Sequence, residues 1–336
     1  MTIDIENNSS ETRPRTAASM VGYKNQVPNP EWPGGAKVAV SFVLNIEEGA
    51  EYTIRNGDNR AEMYLNEYGI DAETYPHVDR ININMESQYD YGSRAGVWRI
   101  FEAFKEHNMP LTIYGVAYSL CKVPRLAEVI HEQGWEMGSH GCRWIEHYNL
   151  PADVEKEQIR EGVKLFQGMS PKGAAPVGWY LGRPSPRTRG LIAEVYREEG
   201  LPSLTWQSDD YSDDVPFWIP YPGGTKDQGL LILPYSYDNN DFKFSRGGGW
   251  TSSRAFNEYL TDAFDQLYEE GEAGSPKMMT IGLHCRVIGK PGRFPALTKF
   301  MEHIASKPKG SVWVATREQI ANHWAEKYPY DYTKEY

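Results

Sequence analysis

The stretch Lys37-Val-Ala-Val-Ser-Phe-Val-Leu-Asn45, running on into Ile46-Glu47-Glu48-Gly49, decides how the rest of the chain is read. Its first nine residues are rich in Val, with Ala, Phe and Leu between, and are bounded by turn residues, which predicts a β-strand. The strand delivers two adjacent carboxylates and a glycine at its end. Adjacent side chains on an extended segment point to opposite sides, so Glu47 and Glu48 face one substrate together only if the backbone bends; Gly49 permits that bend.

Working outward, the same kind of run recurs at 111–118, 136–139, 177–182, 203–208, 230–237, 278–285 and 312–316. Helical patterns lie between most of them, at 95–107, 125–133, 153–167, 188–199, 254–270, 296–306 and 317–326. Strands alternating with helices predict an α/β fold with a mainly parallel sheet, and seven or eight such units predict a closed or nearly closed barrel; a doubly wound open sheet is the alternative. Residues 1–35 read as an extended arm and 36–330 as a single barrel domain. The connections 46–94 and 209–229 exceed plain βα loops and read as lids, binding rims or subunit contacts. The Gly-rich run at 247–249 precedes Trp250 without Gly-Lys-Ser/Thr, so it is no phosphate loop.

The 336 residues include 35 Lys and Arg against 46 Asp and Glu, a net charge of −11. Such a field repels nucleic acid and anionic lipid and leaves neutral substrates open. Three widely spaced cysteines form neither a disulfide framework nor a CxxC metal site. No run of 18 apolar residues is present and the polar N-terminus has no apolar signal core, so a cytoplasmic protein without membrane segments is expected.

Chemistry concentrates where the predicted strands end, the place where barrel loops converge on one mouth. The first ends in Asn45, Glu47 and Glu48, the third in Ser139-His140, the fourth in Gly182-Arg183, the fifth in Asp209-Asp210, the sixth in Asp238-Asn239, and the seventh carries His284 and Arg286. Any one of these alone reads equally as a helix cap, a satisfied interior histidine or a structural ion pair. Their repetition at one edge favours a catalytic mouth. Four residues beyond His140, where an HxxxH metal pair would place its second ligand, stands Trp144, which binds no metal; His147 follows at seven.

Glu47-Glu48-Gly49, His140 to Trp144, Arg183-Pro184 and Leu283-His284, in this order, resemble the polysaccharide deacetylase superfamily, the NodB-homology or carbohydrate esterase 4 fold. The resemblance implies a distorted seven-stranded β/α barrel. In that pattern the first motif carries two aspartates and the second His-x-x-x-His; here both aspartates are glutamates and the second histidine is Trp144. Longer phrases, among them WPGGAKVAVSFVLNIEEGAE, GWYLGRPSPRTR and MMTIGLHCRVIGKPGR, closely resemble the cofactor-independent allantoinases and, less closely, the metal-independent cyclic imide hydrolases.

What this branch implies is a hydrolase acting on C–N bonds of cyclic amides, opening allantoin to allantoate in purine catabolism, with no metal and no cofactor, in a homo-oligomer. On this reading Glu47 or Glu48 accepts a proton from water and Arg183 positions that carboxylate. His140 and His284 serve the oxyanion and the leaving nitrogen in an order left open. Trp144 packs on the ring, and Glu86, Tyr91, Arg94, Asp209 and Arg286 are further candidates for binding it. The rivals are a metal-dependent polysaccharide N-deacetylase using Glu48, His140 and His147, and an inactive binding barrel.

Overall fold

The computed structural model describes residues 20–23, 26–67, 79–245 and 248–334, so most of the predicted arm lies outside the described residues. Among the described residues the strands are β1 (Val38–Ile46), β2 (Thr112–Gly115), β3 (Glu136–Ser139), β4 (Gly178–Trp179), β5 (Trp206–Gln207), β6 (Phe217–Pro220), β7 (Gly229–Ile232), β8 (Lys277–His284) and β9 (Val312–Val314). The helices are α1 (Ile83–Tyr91), α2 (Val97–Glu106), α3 (Ala117–Lys122), α4 (Pro124–Glu132), α5 (Ala152–Met169), α6 (Thr188–Glu198), α7 (Ser253–Glu272), α8 (Cys285–Ile288), α9 (Pro295–Ala305) and α10 (Arg317–Lys327). A π-helical turn, Gly92–Gly96, joins α1 to α2.

The sheet runs β6-β7-β5-β4-β3-β2-β1-β8, with parallel pairing except between β6 and β7. β1 is its axis. One edge pairs with β8 along Val38–Asn45; the other pairs first with β9, at Val38–Val40, and then with β2, at Val43–Ile46. After β7 the chain reaches the free edge of β8 through the Asn240–Gly282 bridge, curling the sheet into an incomplete (β/α) barrel.

β1 carries apolar residues on both faces because both are covered, as in other parallel sheets. Val38, Val40, Phe42, Leu44 and Ile46 pack outward against α2, α7 and α9, while Ala39 and Val43 pack inward with Tyr114, Trp206 and Tyr235. α2 answers with Val97, Ile100, Phe101 and Phe104, one helical stripe turned to the sheet. Buried Arg317 and Glu136 fill the interior: the guanidinium donates to Ser208 Oγ, Thr280 Oγ1 and the Leu233 and Pro234 carbonyls, and the carboxylate accepts from Thr112 Oγ1 and Trp206 Nε1.

Three elements depart from the sequence reading. The run 111–118 leaves the sheet at Gly115, and Ala117–Lys122 is helical, because a short apolar run does not by itself distinguish strand from buried helix. The long connection 46–94 holds α1, whose polar sequence gives little amphipathic signal. The connection 209–229 holds the antiparallel strand β6.

Candidate active site

At the C-terminal ends of β1, β3 and β8, the residues Glu47, His140 and His284 converge around one carboxylate oxygen. Glu47 Oε1 lies 3.2 Å from His140 Nε2 and 3.5 Å from His284 Nε2, while Oε2 accepts a 2.6 Å bond from Arg286 Nη1. All four side chains are buried. Burial by itself would raise the Glu47 pKa, but Arg286, His284 and His140 outweigh it and hold the carboxyl well below its ordinary range. Glu47 therefore rests as an anion.

The backbone puts each group in place. A turn closes from Glu47 O to Ala50 N at 3.1 Å, with Gly49 at φ 85°, a left-handed conformation suited to glycine. The bend comes after both glutamates, so they keep opposite faces. Glu47 enters the pocket; Glu48 is buried beside it without lining the pocket, its Oε2 accepting the Glu47 N–H at 3.1 Å and its Oε1 lying 3.6 Å from Arg286. Burial pushes the Glu48 pKa up, Arg286 opposes this, and Glu47 adds to it. A Cβ on Gly92 would lie 2.1 Å from Glu48 Oε1 and one on Gly96 2.0 Å from the Cys285 carbonyl, so both ends of the π turn need glycine for close packing. That packing seats the turn against the segment that carries Arg286.

His284 is held from behind. Its Nδ1 lies 2.6 Å from Asp241 Oδ1, and Asp241 Oδ2 accepts the His284 and Ile288 backbone N–H groups at 2.8 and 3.0 Å. Burial lowers the imidazole pKa, but Glu47 and Asp241 more than reverse this, so the pKa is raised and the protonated form favoured. His140 has no partner on Nδ1 among the described residues.

A small, partly open pocket lies above these groups. Asn45, Glu47, His140, Trp144, Arg183 and His284 line it together with Tyr64, Leu65, Tyr180, Gly182, Tyr235, Tyr237, Asn240 and Phe242. Two guanidinium groups lie near the ring of Trp144, Arg183 at 4.9 Å and Arg286 at 5.1 Å, together with the rings of Tyr64 and Tyr89.

The structure separates the remaining sequence candidates. Arg183 lines the pocket but does not position Glu47; its Nη1 donates to Glu62 at 2.9 Å, and Arg286 holds Glu47 instead. Arg286 lies behind the carboxylate, not among the lining residues. Asp209 accepts the Leu181 and Gly182 backbone N–H groups and thereby shapes the segment before Arg183. Glu86 binds Thr53 and Arg55, the Tyr91 hydroxyl donates to the Gly289 carbonyl, and exposed Arg94 borders a separate shallow groove. These three lie outside the pocket because α1 and the π turn present them on other faces. Residues that sequence reasoning missed include Asp241, Glu62, Tyr64, Tyr180, Tyr235 and Tyr237. The alternation of Tyr235 and Tyr237 at the end of a predicted strand was their best signal.

The residues do not fit the metal ion that the superfamily pattern implies. Trp144 stands at the second histidine position, the cation beside Glu47 is already a guanidinium, and among the described residues no three His, Cys, Asp or Glu side chains are arranged to hold an ion. Glu48, His140 and His147 form no ligand cluster, and His147 lies 3.6 Å from buried Glu155. No helix among the described residues is long and apolar enough to cross a membrane.

A profile of the family described as Polysaccharide deacetylase matches residues 82–181. A Schizosaccharomyces pombe protein named for the polysaccharide deacetylases is 46% identical over 304 residues, covering 89% of this chain and 93% of its own. The crystal structure of a Pseudomonas aeruginosa PAO1 protein, also named for that family, superposes with a TM-score of 0.86 at 42% identity, covering 95% of this chain and all of the other. The crystal structure of PuuE allantoinase does so with a TM-score of 0.86 at 41% identity and the same coverage. The barrel, its strand-end residues and identity sustained over nine-tenths of the length lead to one conclusion: the chain belongs to the polysaccharide deacetylase family of hydrolases.

Proposed function

We propose that this hydrolase opens a small cyclic amide, with allantoin the leading substrate, by adding water to a ring carbonyl without a metal ion. One observation carries the reading: a single buried carboxylate oxygen, on Glu47, is shared by two imidazoles and backed by a fixed guanidinium. The 41% identity to PuuE allantoinase over 95% of the chain supports the choice of ring.

Water adds to the ring carbonyl as Glu47 takes its proton. His140, through Nε2–H, stabilises the oxyanion, and protonated His284 gives its Nε2 proton to the leaving nitrogen as the C–N bond breaks. The two transfers help each other. At 3.5 Å, a positive charge on His284 stabilises anionic Glu47 by about 5 kcal/mol at an effective dielectric near 20. As His284 discharges, that stabilisation disappears and Glu47 becomes a stronger base. Afterwards the proton on Glu47 crosses to His284 Nε2, restoring both groups, while the new carboxylic acid ionises. Arg286 balances the anion throughout, and Trp144 offers a flat face to a flat ring.

The test is turnover of allantoin, hydantoin, succinimide and an acetylated chitooligomer, each with and without chelator. Ring opening that survives chelation is expected. Deacetylation of the oligomer that chelator abolishes would overturn the reading.

A further inference from the structure

Asn45 is the last inward-facing residue of β1 before Glu47, 1% exposed, and lines the pocket. Its amide orientation is fixed. Nδ2 donates to the Leu283 carbonyl at 3.0 Å, a contact only the NH2 group can make, and to the Tyr235 hydroxyl at 3.1 Å. Oδ1 is then a buried acceptor with no partner among the described residues, a costly state unless something supplies a donor.

Tyr235, also lining the pocket, shows the opposite deficit. Its oxygen accepts from Asn45 Nδ2 and, at 3.3 Å, from Asn240 Nδ2. The Asn240 amide is oriented too, since its Oδ1 accepts the Phe242 N–H at 3.1 Å. Both neighbours of the hydroxyl are pure donors, so its own hydrogen is left for a third group. Side by side, hydrogen-bonded to each other, the two residues offer one acceptor and one donor.

We infer that Asn45 and Tyr235 read the edge of a cis amide, Asn45 Oδ1 accepting a ring N–H and the Tyr235 hydroxyl donating to the neighbouring ring carbonyl. Closure of a five-membered ring forces N–H and C=O onto the same side. An open secondary amide, such as an N-acetyl group, is trans and points them apart, with about 2.5–4 kcal/mol needed to reverse it. The pair thus selects imides and ureides bearing a free N–H, and it makes Asn45 a specificity-determining residue. This rests on the ring-opening reading above.

The experiment compares succinimide with N-methylsuccinimide and hydantoin with 1,3-dimethylhydantoin, each enzymatic kcat/KM divided by the hydroxide-catalysed rate of the same ring. For the wild-type protein, methylation is expected to cost about tenfold or more, because it removes the only donor for Asn45 Oδ1. In Asn45→Ala that methyl penalty collapses towards unity with KM raised, while Tyr235→Phe lowers kcat/KM for both members of a pair and keeps the penalty. Circular dichroism and melting curves establish that the variants are folded, and the wild-type comparison needs no variant. Equal normalised rates for methylated and free rings would overturn the inference while leaving ring hydrolysis standing. Failure to open any ring would overturn both.

Discussion

Replacing Asp241 by Asn tests the acid in the proposed reaction. The carboxylate lies 2.6 Å from His284 Nδ1, a short charge-assisted contact of the kind worth about 1.5–3 kcal/mol. Its loss removes that stabilisation from the imidazolium and so lowers the His284 pKa. The sign follows from the role. His284 must be protonated to serve the leaving nitrogen, so activity falls as pH rises through its pKa, and the alkaline limb of kcat/KM moves to lower pH. The amide also reverses the tautomer: Asn Nδ2 donates to Nδ1, leaving a neutral ring with its hydrogen on Nε2. The Asn oxygen still accepts the His284 and Ile288 backbone N–H groups, so the fold survives. The assay is a pH–rate profile on the opened ring from pH 5 to 10, with a melting curve at each end. An unchanged alkaline limb in a folded Asp241→Asn protein would refute the assignment of His284 as the acid.

Glu47→Gln should lower kcat by about a thousandfold or more with a small change in KM, measured under saturating ring substrate, since it removes the base and the counter-charge together. Arg286→Met leaves two buried carboxylates uncompensated and should cost about 3–5 kcal/mol in urea unfolding, the range for breaking a buried pair. Gly96→Ala, whose Cβ would meet the Cys285 carbonyl at 2.0 Å, should lower the melting temperature by several degrees. Gly168→Ala, in helix α5 with open space around it, should raise stability by about 0.5–1 kcal/mol in the same scan. Burial lifts the Glu51 pKa to about 7. Its neutral form is favoured in the fold, so its contribution is intact below the unfolded pKa and is lost as pH rises through 7. Glu51→Gln should therefore gain about 3 kcal/mol over the wild type at pH 9 and little at pH 4, by denaturant titration at the two pH values.

Most strands and the main helices were legible because each buries a stripe or a face that its residue pattern records; β6 was not. Val38–Ile46 and Lys277–His284 are covered on both sides and read as largely apolar runs. Ile83–Tyr91 was not legible, since its nine residues are mostly polar and only Met85 and Tyr89 turn inward. At the site, Glu47, His140 and His284 could be read from their places at strand ends. Their partners could not. Asp241 meets His284 across 43 residues, Arg286 displaces Arg183 as the partner of Glu47, and nothing in a linear spacing announces either. Glu48 shows the reverse: the alternation of an extended strand put it off the face of Glu47, and the structure keeps it out of the pocket, although both carboxylates lie near Arg286 Nη1.

The double pairing of β1 has a consequence for how activity fails. Its amides are paired to β8 on one edge and to β9 and β2 in turn on the other, so freeing all of them requires both edges to open. Such a doubly paired, buried segment belongs to the high-stability end of the fold and should be among the last to exchange its hydrogens. Glu47 is mounted directly on its end, so on heating the carboxylate should keep its place until the whole domain melts, and inactivation and cooperative unfolding should share one midpoint.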